Sequence, residues 1–237
     1  VQIDGGTLKL STGDDAIHAD NALTTNGGTI DVTASYEGLE SNAITLNAAT
    51  INITSSDDGI NASDGSGEAD DPGAGSASNS TMVITGGAIT VDAGGDGLDS
   101  NGAMTISGGT IVVNGPTDSG NGALDTGGTL RISGGTLFAA GSSGMAESPD
   151  TDSSQAWLQS ELTASAGQSV TISTTDGTQI ASYTVAKATG NIVFSSSAIS
   201  AGSSYLVSVN GGSATTVTAN QSTGNTMGGA MGAPGPR

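Results

Sequence analysis

One short phrase, returning in six successive repeats, constrains this chain more than anything else in it. It is a pair of small residues, then Thr or Ala, then Ile or Leu. It reads GGTL at 5–8, GGTI at 27–30, AATI at 48–51, GGAI at 86–89, GGTI at 108–111 and GGTL at 134–137. The second small residues fall at 6, 28, 49, 87, 109 and 135, so the spacings are 22, 21, 38, 22 and 26. A base period near 22, with one insertion of 16 residues (38 minus 22) and one of 4 (26 minus 22), is the mark of a solenoid. Between the phrases a second motif recurs: DAIHAD at 15–20, EGLESN at 37–42, DGINAS at 58–63 and DGLDSN at 96–101. An acidic residue therefore returns to one fixed place in each of these repeats. In a stack of coils those acids must meet.

Alternation sets the register. Ile30 and Val32, Ile51 and Ile53, Ile89 and Val91, and Ile111 and Val113 form a two-residue apolar beat after the small pair. A second beat reads Ile44 and Leu46, Met82 and Ile84, Met104 and Ile106, Leu130 and Ile132. The third is Ile17, Leu39, Ile60, Leu98 and Leu124, each followed two residues on by Ala, Ser or Thr. Three short strands per repeat joined by Gly, Asn and Asp turns predict an all-β fold, a right-handed parallel β-helix with three faces and about six coils. The several Leu at fixed offsets of a leucine-rich repeat are missing, and so is the nine-residue period of a calcium β-roll.

Composition fits thin coils. Hydrophobic residues make up 34% of the chain and aromatics 3%, enough for a file of single aliphatic side chains inside each coil but not for a thick core. No segment reaches the ~18 consecutive apolar residues of a membrane span. With no cysteine there is no disulfide framework, zinc thiolate or cysteine nucleophile. No signal peptide is visible, as in a secreted chain that has lost one. The net charge of −19 argues against nucleic acid and anionic membranes as direct partners.

Stacking turns the acidic positions into columns about 4.8 Å apart. The turn column reads Asp15, Glu37, Asp58 and Asp96, with Asp14 and Asp57 beside it; an outward column reads His18, Glu40, Asn61, Asp99 and Asp125. Unit charges at such spacing repel by up to a few kcal/mol at intermediate dielectric. Lys9 and Arg131 fall on other strands. A hard divalent cation with oxygen ligands, chiefly Ca²⁺, is the economical remedy, because one ion can bridge carboxylates of consecutive coils. The insertion adds Asp64, Ser66, Glu68 and Asp70 in alternation, a flexible set of oxygen donors that departs from the EF-hand pattern. Any single Asp here is better explained as a turn cap or a solvated surface acid; the aligned column of four is what favours calcium. The sole histidine, His18, reads as a surface residue. Thr columns (Thr24, Thr45, Thr105; Thr7, Thr29, Thr50, Thr110, Thr136) are interrupted by Val83, Arg131 and Ala88, which argues for cross-strand packing and against an ice-binding face.

With these motifs in view, the chain resembles a bacterial family of pectate-lyase-like right-handed β-helix proteins. The GGTI-x-V beat, the DG[IL]-x-[AS] turn, the acidic insertion and the Gly- and Met-rich end carry the resemblance, over residues 1–158. That family is calcium-bearing, surface-exposed and binds polygalacturonate and cellulose without cleaving them. By resemblance its calcium positions fall on Asp15, Glu37, Asp58 and Asp96, and also on Asp57, Asp64 and Asp99.

The domain reading is a β-helix over 1–158 with an acidic insertion at 64–80, an antiparallel β cap over 159–220 and a Gly/Met-rich tail at 221–237. Segments at 169–173, 180–186, 191–195, 204–209 and 215–219 alternate like antiparallel strands, and Asp176–Gly177 signals a hairpin. Trp157 and Leu158 are expected to pack at the join.

The functional expectation is a non-catalytic, extracellular, cell-surface β-helix that binds an acidic polysaccharide through Ca²⁺. Tyr36, next to Glu37, is the aromatic placed to touch a sugar there, with Glu40 beside it; the other aromatics read as scattered, which favours polygalacturonate over cellulose. Lyase or hydrolase activity is the rival. It lacks a basic residue beside the acids, and equivalent acids in a periodic column rarely acquire the distinct environments of an acid–base pair. A structural alternative is self-association into filaments, the tail or capping hairpin of one subunit augmenting the first coil of the next.

Overall fold

The computed structural model describes residues 1–65 and 78–222. Every regular element among them is a β-strand. The six phrases begin or immediately precede six parallel strands, Thr7–Ser11, Thr29–Ala34, Thr50–Ser55, Ala88–Ala93, Thr110–Asn114 and Thr136–Gly141, stacked in that order in one sheet. At Gly6, Gly28, Gly87, Gly109 and Gly135 the second residue of the phrase turns the corner with φ between 84° and 94°, where a side chain is strained. The 48–51 phrase, with Ala49 there, makes its corner without a left-handed residue.

The second and third beats form one bent sheet. In the first two coils a single strand runs across the corner, Ile17–Thr25 and Leu39–Leu46; in later coils it is broken, as in Leu98–Ser100 and Ala103–Ile106. The three expected faces are therefore carried by two hydrogen-bonded sheets. Register follows the beats: Ile30 lies beside Ile51, Ile51 beside Ile89, Ile89 beside Ile111 and Ile111 beside Leu137. Together with the other inward positions they form one apolar core, each residue at most 3% exposed. A polar file runs at another corner, where Thr85 donates to Asn47 Oδ1 (2.9 Å), Asn47 to Asn26 Oδ1 (2.8 Å) and Asn26 to Asp4 (2.7 Å).

The C-terminal region closes the stack in two ways. Thr189–Ser195 pairs antiparallel with the last coil strand Thr136–Gly141, and Trp157–Ala164 pairs in turn with Thr189–Ser195, so the phrase sheet gains two strands. Trp157 lies in the solenoid core, whereas its neighbour Leu158 faces the other way. There, with Phe138, Ile192 and Phe194, it meets the four-stranded antiparallel sheet of Ser169–Thr174, Gln179–Thr184, Ser204–Val209 and Thr215–Thr218. The cap is thus half a sheet extension and half a sandwich lying on the outer face of the last coils. Sequence alternation misses the strand Trp157–Ala164 because its first half, Trp157 to Ser160, is buried on both faces and shows no alternating beat. Lys187 ties the cap to an earlier coil, pairing with Asp92 (2.8 Å) and donating to the Ala93 carbonyl.

Glycine in the DG[IL] motif has a steric reason. A methyl group at Gly59 would collide with Val91 Cγ1 and the Gly97 carbonyl, and one at Gly97 with Val113 Cγ1 and the Ala123 carbonyl. We expect Gly59→Ala to cost about 1–3 kcal/mol in denaturant unfolding, the usual range for overpacking. Gly13→Ala, where nothing lies within 4 Å, should leave the midpoint unchanged.

Candidate functional site

The third-beat strands align Ile17, Leu39, Ile60, Leu98 and Leu124 as direct neighbours in consecutive coils, which brings His18, Glu40, Asn61, Asp99 and Asp125 into one file. Two residues earlier the same register aligns Asp15, Glu37, Asp58 and Asp96. The hydrogen bonds Ala16 N to Glu37 O, Gly38 N to Asp58 O and Gly59 N to Asp96 O fix that corner. Both acidic files therefore exist, side by side on one edge of the solenoid.

The carboxylates also bond a neighbouring coil. Asp58 accepts from Asp96 N (2.7 Å), Asp96 from Gly122 N, and Glu147 from Thr126 N (2.7 Å) and the Thr126 hydroxyl. Asp57 and Asp58 both lie over Gly95, where a methyl group would meet an oxygen of each at 2.5 Å. An Asn side chain could accept the same amides, so these bonds do not account for the charge.

Burial is deeper than an outward column suggests. Asn61 is 8% exposed and Asp99 9%, each enclosed within the file. Glu37 Oε1 accepts from Asn61 Nδ2 (3.2 Å), whereas Glu37 Oε2 and Asn61 Oδ1 are both buried and meet no hydrogen-bond donor among the described residues. Desolvation is the largest influence on the carboxyls here and favours the neutral form. It pushes Glu37 up to about 8, Asp96 to about 7 and Asp99 to about 9, with the surrounding carboxylates adding to it. Asp125 is raised by the same cause, and Glu147 reaches about 7.

At the first coil the file begins differently. His18 Nδ1 is hydrogen-bonded to Glu40 and stands 3.4 Å from Asp15, while its Nε2 is 3.3 Å from Asp20. Its pKa is raised, chiefly by the bond to Glu40. One ligand atom each from Asp15, His18 and Glu40 lie within 4.8 Å of one another, a group able to hold a metal ion. Arg131 pairs with Asp152 (2.8 Å) and Lys187 with Asp92, both off this edge, and Lys9 stands beside Asp31 on the phrase sheet.

The structure thus unites Asp15, Glu37, Glu40, Asp57, Asp58, Asp96 and Asp99. It leaves Asp64 apart, exposed on the loop that leaves after Ser63; Ser66, Glu68 and Asp70 lie outside the described residues. Tyr36 is exposed beside the file and hydrogen-bonded to Asp57, which pushes its hydroxyl up to about 12. The aromatics are less scattered than expected: Phe138 stacks on Tyr183 (4.2 Å between centroids) with Phe194 at 6.0 Å from the same ring, under the cap. Sequence reading missed Glu147 because no repeat motif surrounds it. Its signal was arithmetic, since it stands one 22-residue period after Asp125 (147 minus 125).

Residues 1–118, just under half of the chain, match a family model described as carbohydrate-binding domain-containing protein. The matched stretch includes both files as far as Asp99. No curated protein and no solved structure matches the chain.

The raised carboxyls fix the sign of a pH dependence. They bind protons more tightly folded than unfolded, so their contribution is complete below the ordinary carboxylate range and is lost as pH rises through about 7 to 9. In chelator, the melting temperature should fall steadily from about pH 5 to pH 9. Asp99→Asn should flatten the upper part of that fall; a profile flat in both proteins would contradict the assignment.

Proposed function

We propose that this chain is a non-catalytic carbohydrate-binding β-solenoid whose acidic edge holds Ca²⁺ and, through it, an acidic polysaccharide of the polygalacturonate type. The family match supports carbohydrate binding. The observation that carries the calcium reading is the pair of buried acceptors without donors, Glu37 Oε2 and Asn61 Oδ1, set among carboxylates of consecutive coils. A buried carboxylate needs a proton or a cation, and oxygen donors at this density suit a hard divalent ion.

Asp15, His18 and Glu40, whose ligand atoms already lie within 4.8 Å of one another, would hold an ion at the first coil, whereas Glu37, Asn61, Asp58 and Asp99, with Asp57 and Asp96 beside them, would have to draw together around one further along. Calcium bound there cancels charge that would repel a polyuronate, and an incompletely filled coordination sphere accepts a uronate carboxylate. Tyr36 stands exposed at the same edge, where its ring can lie against a sugar face. Open sites built from shared carboxylates bind weakly, in the 10⁻⁴–10⁻³ M range of extracellular modules, which favours an extracellular or cell-surface setting. Lys9 and Arg131 are held on other faces, and His18, the base at this edge, is engaged by Glu40, Asp15 and Asp20, which favours binding over cleavage. The tail contact that head-to-tail assembly would use falls on residues 223–237, outside the described residues.

Thermal melts with Ca²⁺ and with chelator test the metal. Calcium should raise the melting temperature by several degrees, Asp58→Asn should reduce that gain, and Asp176→Asn on the exposed hairpin should not. Coincident melts would refute the metal. Binding to polygalacturonate should vanish in chelator, and unsaturated or reducing products after incubation would show an enzyme instead.

A further inference from the structure

A second place on the molecule offers sugar-like chemistry without charge. Where the segment after the last coil meets the cap, a cleft of about 300 Å³ opens between Ser153–Gln155 on one side and Ser197–Ala201 on the other. That volume is at the small end of ligand pockets, enough for one or two sugar rings. In a chain carrying 23 acidic residues, no charged side chain lines it among the described residues.

The lining divides by chemistry. Ile199, 6% exposed, gives the cleft an apolar floor. Around it stand polar groups with capacity to spare. The Ser154 and Ser197 hydroxyls make no hydrogen bond among the described residues. Ser153 Oγ accepts from Ile132 N (3.2 Å), which leaves its own O–H to donate. Gln155 is fixed by its amide nitrogen, which donates to Gly135 O (3.0 Å) and Ser195 Oγ (2.9 Å), so its Oε1 remains as an acceptor. Asn220, held at φ 60°, closes one end; its Oδ1 accepts from Trp157 N and its own N–H donates to Trp157 O.

Neutral donors and acceptors around an aliphatic patch match a pyranose, whose ring presents C–H groups on one face and hydroxyls at its rim. A uronate would bring a carboxylate to a cleft that holds no cation to receive it. We propose that this cleft binds a neutral sugar unit, a chain end or a side branch, independently of calcium. The class of ligand rests on the carbohydrate-binding reading, whose family match ends at residue 118, before the cleft; the place and the neutrality rest on the cleft's own lining and not on the acidic edge.

The test is amide NMR of the full chain in chelator, titrated with cellobiose, maltose and lactose to about 10 mM, a range suited to weak sugar binding. One of these should shift the amides of Ser154, Gln155, Ser197 and Ile199. Ala201→Trp and Ser154→Phe, substitutions at exposed positions on opposite rims, should each weaken that binding about 10-fold or more while leaving calcium-dependent polygalacturonate retention intact. Absence of shifts with all three sugars, or binding unchanged in both variants, overturns the proposal. Loss of polygalacturonate retention in the unsubstituted chain, with the disaccharide shifts still present, would fail the acidic-edge reading and leave the cleft standing.

Discussion

Parallel stacking at constant register is the constraint on which everything else here depends. Each side chain sits about 4.8 Å from its equivalents in the coils above and below, so whatever a position carries, it carries in multiple. For aliphatic residues the outcome is a continuous core; Ile51 needs no partner more specific than Ile30 and Ile89. For amides it is a directional chain, as at Asn47 and Asn26, because an amide both donates and accepts. For carboxylates it is a difficulty, because ionised carboxylates only accept. The same geometric rule thus produces the most stable part of the molecule and the least comfortable one.

Repulsion between stacked acids is the obvious form of that difficulty, and it is not the leading one. For Glu37, Asp96, Asp99, Asp125 and Glu147 alike, loss of hydration outranks the influence of neighbouring charges. Diluting the charge would therefore relieve the site only in part. What it lacks are donors, as Glu37 Oε2 and Asn61 Oδ1 show, and a proton or a cation supplies that need better than distance does. This also separates the two ends of the file. At the first coil His18 provides a ring nitrogen to Glu40 from within the chain, whereas further along the carboxylates rely on backbone amides that an uncharged Asn could satisfy equally.

The periodic half of the structure was legible in the chain because identical register makes position in the repeat equivalent to position in space. Counting from Ile17, Leu39, Ile60 and Leu98 aligned both acidic files correctly, and even Glu147 obeys the period. Depth was not legible. Asp99 follows a buried Leu98 on a half-exposed alternation, and nothing in DGLDSN announces that a carboxylate two residues after Gly97 is buried as well. Nor was the cap's arrangement, since alternation identifies strands without saying which face of which sheet they cover. Phe138 illustrates the gap: its outward register is plain, yet it is fully buried because Tyr183 from the cap stacks on it.

Periodicity and its failure divide the chemistry between them. Where the period holds, the chain can only accumulate one kind of group along a line, which suits an ion or an extended polymer with a repeat of its own. Where it fails, in the segment between Gly141 and Trp157, successive residues are free to differ, and a pocket with a floor, a rim and distinct donors and acceptors becomes possible. Gln155 marks that change of rule. Its amide closes the last coil through Gly135, a residue of the sixth phrase, while its backbone N–H bonds Ile132 of the other sheet and the residue itself lines the cleft. A position that must meet three unlike neighbours cannot be part of a repeat, and this is why a shaped site arises at the seam between solenoid and cap and not along the solenoid itself.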